Sequence, residues 1–264
     1  MRVTSTLTAA VLFDYPKPED LTGAQRAYAL DYLNSFEAAL VASDFAAAYA
    51  LIDVDSFVDF FIITELCRNV DGYRISSYMH KDRGGKLVAG PYWDNNLGFG
   101  NADYCDGWRT SGWQTNFNSI IGTGACGGGP HQEVPMWWAR LLEDDVTFVP
   151  KLQSRWAELR QGVFNSSQVS AQIDAYVETL GAAVGENFLK WNTLGSRLWP
   201  NPTPVPQDYA GEIAHLKQWI QGRSEWLDGA LDPLSGTTLD LGSGPTLVDD
   251  SAMNDYTYGS YDPR

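Results

Sequence analysis

The apolar positions in the first quarter of the chain repeat at helical spacing. Thr22, followed three positions later by Gln25, predicts a capping box at the start of a first helix. A short second helix is predicted over 45–51, and Asp55 is predicted to cap a strongly apolar helix over 56–68. The residues that define the apolar face of the first helix are Tyr28, Tyr32, Leu33, Phe36 and Leu40.

The period of the pattern changes from helical to alternating after residue 72. The segment 73–80, YRISSYMH, alternates as a strand does, and 87–94, LVAGPYWD, follows it after a turn-rich KDRGGK. These segments predict a β-hairpin. Residues 95–135 are rich in Gly, Asn and Trp and have few periodic apolar positions, and loops of such length are usually functional or mobile.

Helical periodicity returns after Pro135. Residues 232–264 are acidic, rich in Gly and Ser and poor in large aliphatic side chains, which predicts a disordered tail or linker. The sequence therefore predicts one α+β domain over 1–231 that is mainly α. The helices predicted in its second half are 136–144, 147–161, 167–182, 184–194 and 208–231.

Composition narrows the range of partners. The net charge of −15 argues against nucleic acid or an anionic membrane as the main partner. No apolar run approaches the ~20 residues of a membrane-spanning helix, and the N-terminal apolar patch is too weak for a signal peptide. The ten Trp are many for this length; core packing is favoured over ligand platforms, and both remain open.

The three cysteines do not have the spacing of a zinc site. Cys67 falls in an apolar helical run, which predicts a buried free thiol. Cys105 and Cys126 bracket a Gly-rich loop, where a disulfide is as plausible as two free thiols. If the disulfide forms, the compartment is oxidising.

Two glycine-containing segments match known binding motifs only in part. GTGACG (122–127) matches GxGxxG, but Gly-Gly-Pro follows where a dinucleotide site needs a helix N-terminus. DNNLGFGNADYC (94–105) places Phe99 and Cys105 where an EF-hand loop needs Gly and Glu. A flexible loop is favoured for the first motif, and the EF-hand is excluded for the second.

Two aspartates flank the predicted hairpin. Asp71 lies on the loop that enters the first strand, and Asp94 ends the second strand. Because a tight hairpin returns its chain, both carboxylates are expected at the same end of the ribbon. That layout is the one of a protein-kinase centre, where one Asp is the base and a second holds Mg²⁺. Two structural turns, Asp-Gly and Asn-Asn, explain the same residues equally well.

At these residues the sequence resembles the CotH kinase family of spore-coat and secreted proteins. The resemblance covers about 15–231 and is carried by YPKPEDLT, by the block from FIITELCRNVDGYRIS to GPYWDNNLGFGNADYC, by VPMWWARLL and by LKQWIQGRSEWLD. It implies an atypical protein-kinase-like fold, of which this chain would be the helical C-lobe with the hairpin carrying the active-site loops. It also implies phosphorylation of Ser on protein substrates with ATP and Mg²⁺, and an extracytoplasmic or secreted location.

The resemblance assigns roles by position. Asp71 matches the catalytic base and Asp94 the metal-binding aspartate. Asn96 stands where the family often has a second Asp or Asn, so it is a candidate for the metal and the nucleotide. Ser76 stands where a kinase has a metal-binding Asn, and Asn69 is a nearby substitute for it.

Only 70 residues precede Asp71, and they contain no glycine-rich loop, strand Lys and helix Glu of a nucleotide-binding lobe. The expectation is that this N-lobe is missing and that residues 1–264 alone do not turn over ATP. The alternative from another class is a non-catalytic surface, adhesion or glycan-binding module whose acidic, Trp-rich face binds a partner or glycan through exposed Trp residues within 108–138.

Overall fold

The computed structural model describes residues 2–4, 10–121, 126 and 134–232 of the chain. This part is mainly helical with two small antiparallel sheets, which agrees with the predicted α+β class. The predicted tail and most of the GTGACG loop lie outside the described residues. The helices are α1 (Gly23–Val41), α2 (Phe45–Leu51), α3 (Val54–Cys67), α4 (Phe117–Ile120), α5 (Met136–Glu143), α6 (Phe148–Gln161), α7 (Ser166–Leu180), α8 (Ala183–Lys190) and α9 (Tyr209–Leu231).

The helix starts follow their capping residues. Thr22 Oγ1 accepts a hydrogen bond from Gln25 N at 3.2 Å, and Gln25 Oε1 accepts one from Thr22 N, so the capping box is confirmed. The predicted cap Asp55 is wrong. Asp53 has the extended backbone of a cap and accepts from Ser56 N at 3.0 Å, whereas Asp55 already lies in the first turn of α3.

Helix α3 is the centre of the core and packs against the hairpin, α6 and α9. Its Phe57, Phe60 and Phe61 are buried, and Phe60 stacks on the buried Trp138 at 5.7 Å between ring centroids. Burying an aromatic side chain of this size contributes about 1.5–3 kcal/mol. The apolar helix therefore fixes the position of whatever follows its C-terminus.

The predicted hairpin is confirmed, with shorter strands than expected. Strand β3 (Ser77–His80) pairs antiparallel with β4 (Val88–Tyr92), and the remaining strands, β1 (Arg2–Thr4) and β2 (Ala10–Leu12), form the other sheet. Ser77 lies opposite Tyr92, so the chain enters the hairpin and leaves it at the same end.

The cysteines separate into a pair and a free thiol. Cys105 and Cys126 form a disulfide, which decides a pairing that the sequence left open. Cys67 is free and buried as predicted, and burial raises the pKa of its thiol to about 12. Cys67 is therefore a core residue rather than a nucleophile.

Within the described residues, no helix combines the length and the apolar character that a membrane crossing requires.

Candidate functional site

The first half of the site is the turn that follows α3. The helix ends at Arg68, which has a left-handed backbone (φ 46°). The Asp71 carbonyl then accepts hydrogen bonds from Ile75 N at 3.1 Å and Ser76 N at 3.2 Å, so the chain coils tightly before β3. Gly72 sits against α3 so closely that a Cβ there would lie 2.5 Å from Thr64 Cγ2. This contact explains the Asp-Gly pair.

The side chain of Asn69 joins the two aspartate loops. It is 1% exposed, and its Oδ1 accepts from Asp71 N at 3.0 Å. Its Nδ2 donates to the Asp94 carbonyl at 2.7 Å, on the other side of the hairpin. One buried amide thus holds the backbones of Asp71 and Asp94 together, and the two aspartates lie at the same end of the ribbon.

The Asp71 carboxylate is half-buried and is paired with Arg74 at 2.9 Å. Arg74 donates in turn to the Val70 carbonyl at 2.9 Å, and its guanidinium lies 4.3 Å from the centre of the Phe117 ring. Burial raises the pKa of Asp71; the Arg74 guanidinium opposes this effect and the Asp94 carboxylate adds to it. The Arg74 ion pair holds the carboxylate in one place.

The second half of the site is the exposed loop after β4. Asp94 has a left-handed backbone (φ 59°) and an exposed side chain. Asn96 is exposed two residues further on, and its carbonyl accepts from Asn101 Nδ2 at 2.7 Å. Ser76 is joined to Asp71 through its backbone N–H. The roles given to Asn69, Asp71, Ser76, Asp94 and Asn96 stay predictions.

Strained backbone is concentrated around these loops. A positive φ in a residue other than glycine is uncommon and clusters at functional sites. Of the seven such residues in the described part of the chain, Ser43 lies elsewhere and six fall within 68–106. These six are Arg68, Tyr73, Asp94, Phe99, Cys105 and Asp106.

Tyr104 lies on the loop that follows Asp94. Its ring is partly buried and stacks on Trp199, with 5.9 Å between centroids and 12° between planes. Burial raises the pKa of Tyr104, and the charge of Asp71 adds to the effect. The Tyr104 hydroxyl therefore lies within the electrostatic reach of the Asp71 carboxylate.

A buried ion pair joins the elements that surround the candidate site. Glu65 of α3 (1% side-chain exposure) and Arg223 of α9 (0%) lie 3.0 Å apart. Glu65 also accepts from Gln114 N at 2.8 Å, from Thr115 N at 2.9 Å and from the Tyr73 hydroxyl at 3.1 Å. One carboxylate thus connects the helix, the Asp71 turn and the following loop.

Two arginines hold the loop over 106–115 in place through hydrogen bonds to its carbonyls. Arg223 donates to the carbonyls of Thr110 at 3.0 Å and Gly112 at 2.7 Å. Arg68 donates to the Asp106 carbonyl at 3.1 Å and also to Gly112. Buried guanidinium groups here replace the backbone partners that a loop lacks.

The loop at the hairpin end carries oxygen donors of the kind that Mg²⁺ binds, on Asp94 and Asn96, and the metal stays a prediction. Among the described residues no three His, Cys, Asp or Glu side chains cluster tightly enough to hold a metal unaided. Mg²⁺ in phosphate-transfer sites is usually bound through one or two carboxylates, with phosphate and water oxygens completing its shell. The exposed Asp94 carboxylate and the Asn96 amide oxygen supply such a partial set.

A cavity of about 420 Å³ lies elsewhere, between α3, β4 and α6. Its walls are mainly apolar, with Ile63, Tyr92 and Leu159 among them. Neither Asp71 nor Asp94 lines it. The single carboxylate in its lining, Asp59, pairs with Arg155 at 2.8 Å. We place the functional site at Asp71 and Asp94 because two carboxylates are held there at one end of the hairpin.

The described residues thus hold two aspartates at the open end of a hairpin, beside a helical body. The family model described as CotH kinase protein matches residues 7–227, and the chain belongs to the CotH kinase family. No curated protein sequence and no solved structure gave a significant match.

Sequence reasoning missed the residues that support the site. Glu65 carried a usable signal, because a lone acid within the apolar run FIITELC requires a buried partner. Arg223, 158 positions away, has no comparable local signal. The adhesion alternative loses part of its basis, because Trp137 and Trp138 within 108–138 are core residues.

We expect Asn69→Ala to weaken the fold by about 1–3 kcal/mol and to loosen the aspartate loops, because it leaves the buried Asp71 N–H without its acceptor. Asn118→Ala is the matched control, since Asn118 also bridges backbone groups, the N–H and carbonyl of Val134. Denaturant unfolding and amide hydrogen exchange measure the two effects. Equal protection of the Asp71 and Asp94 loops in both variants would contradict the bridging role.

Proposed function

We propose that this chain carries the catalytic carboxylates of a protein kinase that transfers the γ-phosphoryl group of ATP to Ser residues of a protein substrate. The observation that carries the proposal is the Asn69 bridge, which ties the backbones of Asp71 and Asp94 together at one end of the hairpin. Membership of the CotH kinase family supports the same chemistry.

Asp71 acts as the base of the transfer. The substrate hydroxyl gives its proton to the Asp71 carboxylate while its oxygen bonds to the γ-phosphorus, and the bond from that phosphorus to ADP breaks. Arg74 orients the carboxylate through the 2.9 Å ion pair. Asn69 sets the position of the Asp71 backbone, so the base is placed before the substrate arrives.

Asp94 and Asn96 would hold Mg²⁺ on the nucleotide side of the site, and a bound ion would neutralise phosphate charge there. Ser76 is the further polar group available to the nucleotide side, whereas the buried Asn69 amide already bonds to Asp71 N and the Asp94 carbonyl and supports the site from behind. The exposed loop of Asp94 leaves room for a nucleotide to approach from solvent.

The disulfide supports an extracytoplasmic location. Cys105 and Cys126 are both buried, and such bonds persist in oxidising compartments. The protein substrate is therefore expected outside the cytoplasm, as a secreted or surface protein.

The test measures metal binding and phosphoryl transfer separately. Asp94→Ala is expected to abolish the line broadening that Mn²⁺ causes in the amide resonances around residues 94–96, because the carboxylate ligand is lost. Transfer of radiolabelled phosphate from ATP to dephosphorylated casein is expected to fall by at least about 100-fold in the same variant.

The transfer assay is run on residues 1–264 and on the full gene product, because residues 1–264 show no glycine-rich loop, strand Lys and helix Glu. Asp103→Ala is the control, because Asp103 is paired with Arg197 away from the bridge. Transfer by the full product that survives Asp94→Ala would refute the proposed role of Asp94. Turnover by residues 1–264 alone would refute only the expected division into lobes.

A further inference from the structure

The loop that carries the candidate metal ligand Asn96 is closed by the side chain of Asn101. Asn101 Nδ2 donates to the Asn96 carbonyl at 2.7 Å, and Asn101 N donates to the Gly98 carbonyl at 3.0 Å. Gly98 N donates in turn to the Asn95 carbonyl at 3.0 Å. Because Asn96 is exposed, hydrogen bonds rather than burial give this loop its shape.

The C-terminal end of the loop is fixed on the helical body. Phe99 N donates to the carbonyl of Cys67, the last residue of α3, at 2.7 Å. Gly100 (φ 81°) packs so closely on α9 that a Cβ there would lie 2.5 Å from Trp219 Cδ1. The end nearest to β4 is held by the buried amide bridge described above. The exposed Asn96 therefore lies between two fixed points.

The amide of Asn101 is itself held by a residue 100 positions away. Its Oδ1 accepts from Asn201 Nδ2 at 2.6 Å. The segment of Asn201 is fixed beside the same loop, because Asp103 N donates to the Pro200 carbonyl at 2.9 Å. An amide that accepts at one end and donates at the other is satisfied in a single orientation. Asn201 therefore directs the NH₂ group of Asn101, rather than its oxygen, to the Asn96 carbonyl.

Resting on the proposed function, in which Asp94 and Asn96 would hold Mg²⁺, we propose that Asn101 is a positioning residue for the metal ligand and that Asn201 orients Asn101. Neither of these two side chains touches the metal. The bond to the Asn96 carbonyl places Asn96 relative to Asp94 before the ion arrives, so less conformational freedom is lost when the ion binds. Loss of either amide weakens metal binding without unfolding the domain.

The test measures the affinity of residues 1–264 for Mn²⁺. Electron paramagnetic resonance measures free Mn²⁺, and line broadening of the amide resonances locates the bound ion at 94–96. Asn101→Ala is expected to raise the dissociation constant about tenfold, because the ligand loses an outer-shell partner. Asn201→Ala is also expected to raise it. In the double variant the two losses should not add, because Asn201 acts through Asn101.

Asn201→Asp separates positioning from a purely structural or electrostatic contribution. The new carboxylate can only accept, so the Asn101 amide must turn its NH₂ group towards position 201 and its oxygen towards the Asn96 carbonyl. The contact between positions 101 and 201 survives, but the bond to Asn96 is lost. The added negative charge alone would tighten Mn²⁺ binding. The positioning role instead predicts binding that is about tenfold weaker.

Gln207→Ala is the matched control, because the Gln207 amide lies in the same connecting segment and donates to the Val205 carbonyl at 2.9 Å. A second readout needs no metal. The backbone order parameters of residues 95–97 are expected to fall in Asn101→Ala and in Asn201→Asp and to stay unchanged in the control. Unchanged Mn²⁺ affinity in Asn101→Ala, or unchanged or tighter binding in Asn201→Asp, would overturn the proposal.

The outcomes separate this proposal from the proposed function. If the unchanged chain does not bind Mn²⁺ at 94–96, the metal role is refuted and the positioning role with it. If it binds Mn²⁺ and the variants bind equally well, the positioning role alone is refuted. Weaker binding by the variants, combined with absence of phosphoryl transfer by the full gene product, supports the positioning role and refutes the kinase role.

Discussion

Replacing Glu65 with leucine is expected to destabilise the fold by about 3–5 kcal/mol. The substitution leaves the Arg223 guanidinium charged and buried, and it removes the acceptor of the Gln114 and Thr115 N–H groups. Each of these losses is costly because no water replaces the missing partner. Denaturant unfolding followed by circular dichroism measures the change.

Asp59→Ala provides the contrast. Asp59 pairs with Arg155 at 2.8 Å, but the two side chains are 51% and 35% exposed, and surface pairs of this kind contribute about 0–1 kcal/mol. The double variant with Glu65→Leu and Arg223→Leu is expected to be more stable than the sum of the single losses predicts. If Glu65→Leu and Asp59→Ala lower the free energy of unfolding by similar, small amounts, the buried Glu65–Arg223 pair does not stabilise the elements around the site.

Asp71→Asn is expected to lower the rate of phosphoryl transfer by about 100- to 10,000-fold, because the amide cannot accept the substrate proton. Binding of Mn²⁺ at Asp94 should persist. Asp106→Asn is the matched control: Asp106 pairs with Arg109 at 3.0 Å with the same three-residue spacing as Asp71 and Arg74. Single-turnover kinetics of the full gene product compare the two variants.

Asp71→Asn is expected to preserve or slightly increase the free energy of unfolding at neutral pH. Because burial raises the pKa of Asp71 in the folded state, ionising it costs folding free energy, and this cost is present above the folded pKa. At a pH below the pKa of aspartate in the unfolded chain, the Asp71 carboxyl is protonated in both the folded and the unfolded state. The ionisation cost is then zero, so this part of the stability difference between the unchanged chain and Asp71→Asn disappears. A variant that is inactive and also unfolded at neutral pH would contradict a catalytic role for the charge.

Local patterns predicted most of the regular structure. The capping box at Thr22, the apolar run of α3 and the alternation over 73–94 depend on neighbours a few residues apart, which a sequence displays directly. The error at Asp55 has the same origin. Two acids lie at the start of the helix, and the extended backbone of Asp53 and its bond from Ser56 N identify it as the cap, which the sequence alone does not show.

The support of the site depends on contacts between distant residues. The Asn69 amide bridges 25 residues to the Asp94 carbonyl, and Arg223 reaches Glu65 across 158. Nothing in the local pattern around Asn69 or Arg223 specifies these partners. The sequence could therefore place Asp71 and Asp94 at one end of a hairpin, but not the groups that orient them.

The position of Arg223 also determines how the domain opens. Its helix is the last described element, yet its guanidinium bonds to α3 and to the loop beside the aspartates. These parts share buried partners, so they cannot separate one at a time without exposing a charge. The Asp71 turn, which contacts Glu65 through Tyr73, and the loop over 106–115 should therefore exchange their buried amide hydrogens only in the rare openings that also release the C-terminal helix, and they belong to a single cooperative unit of folding.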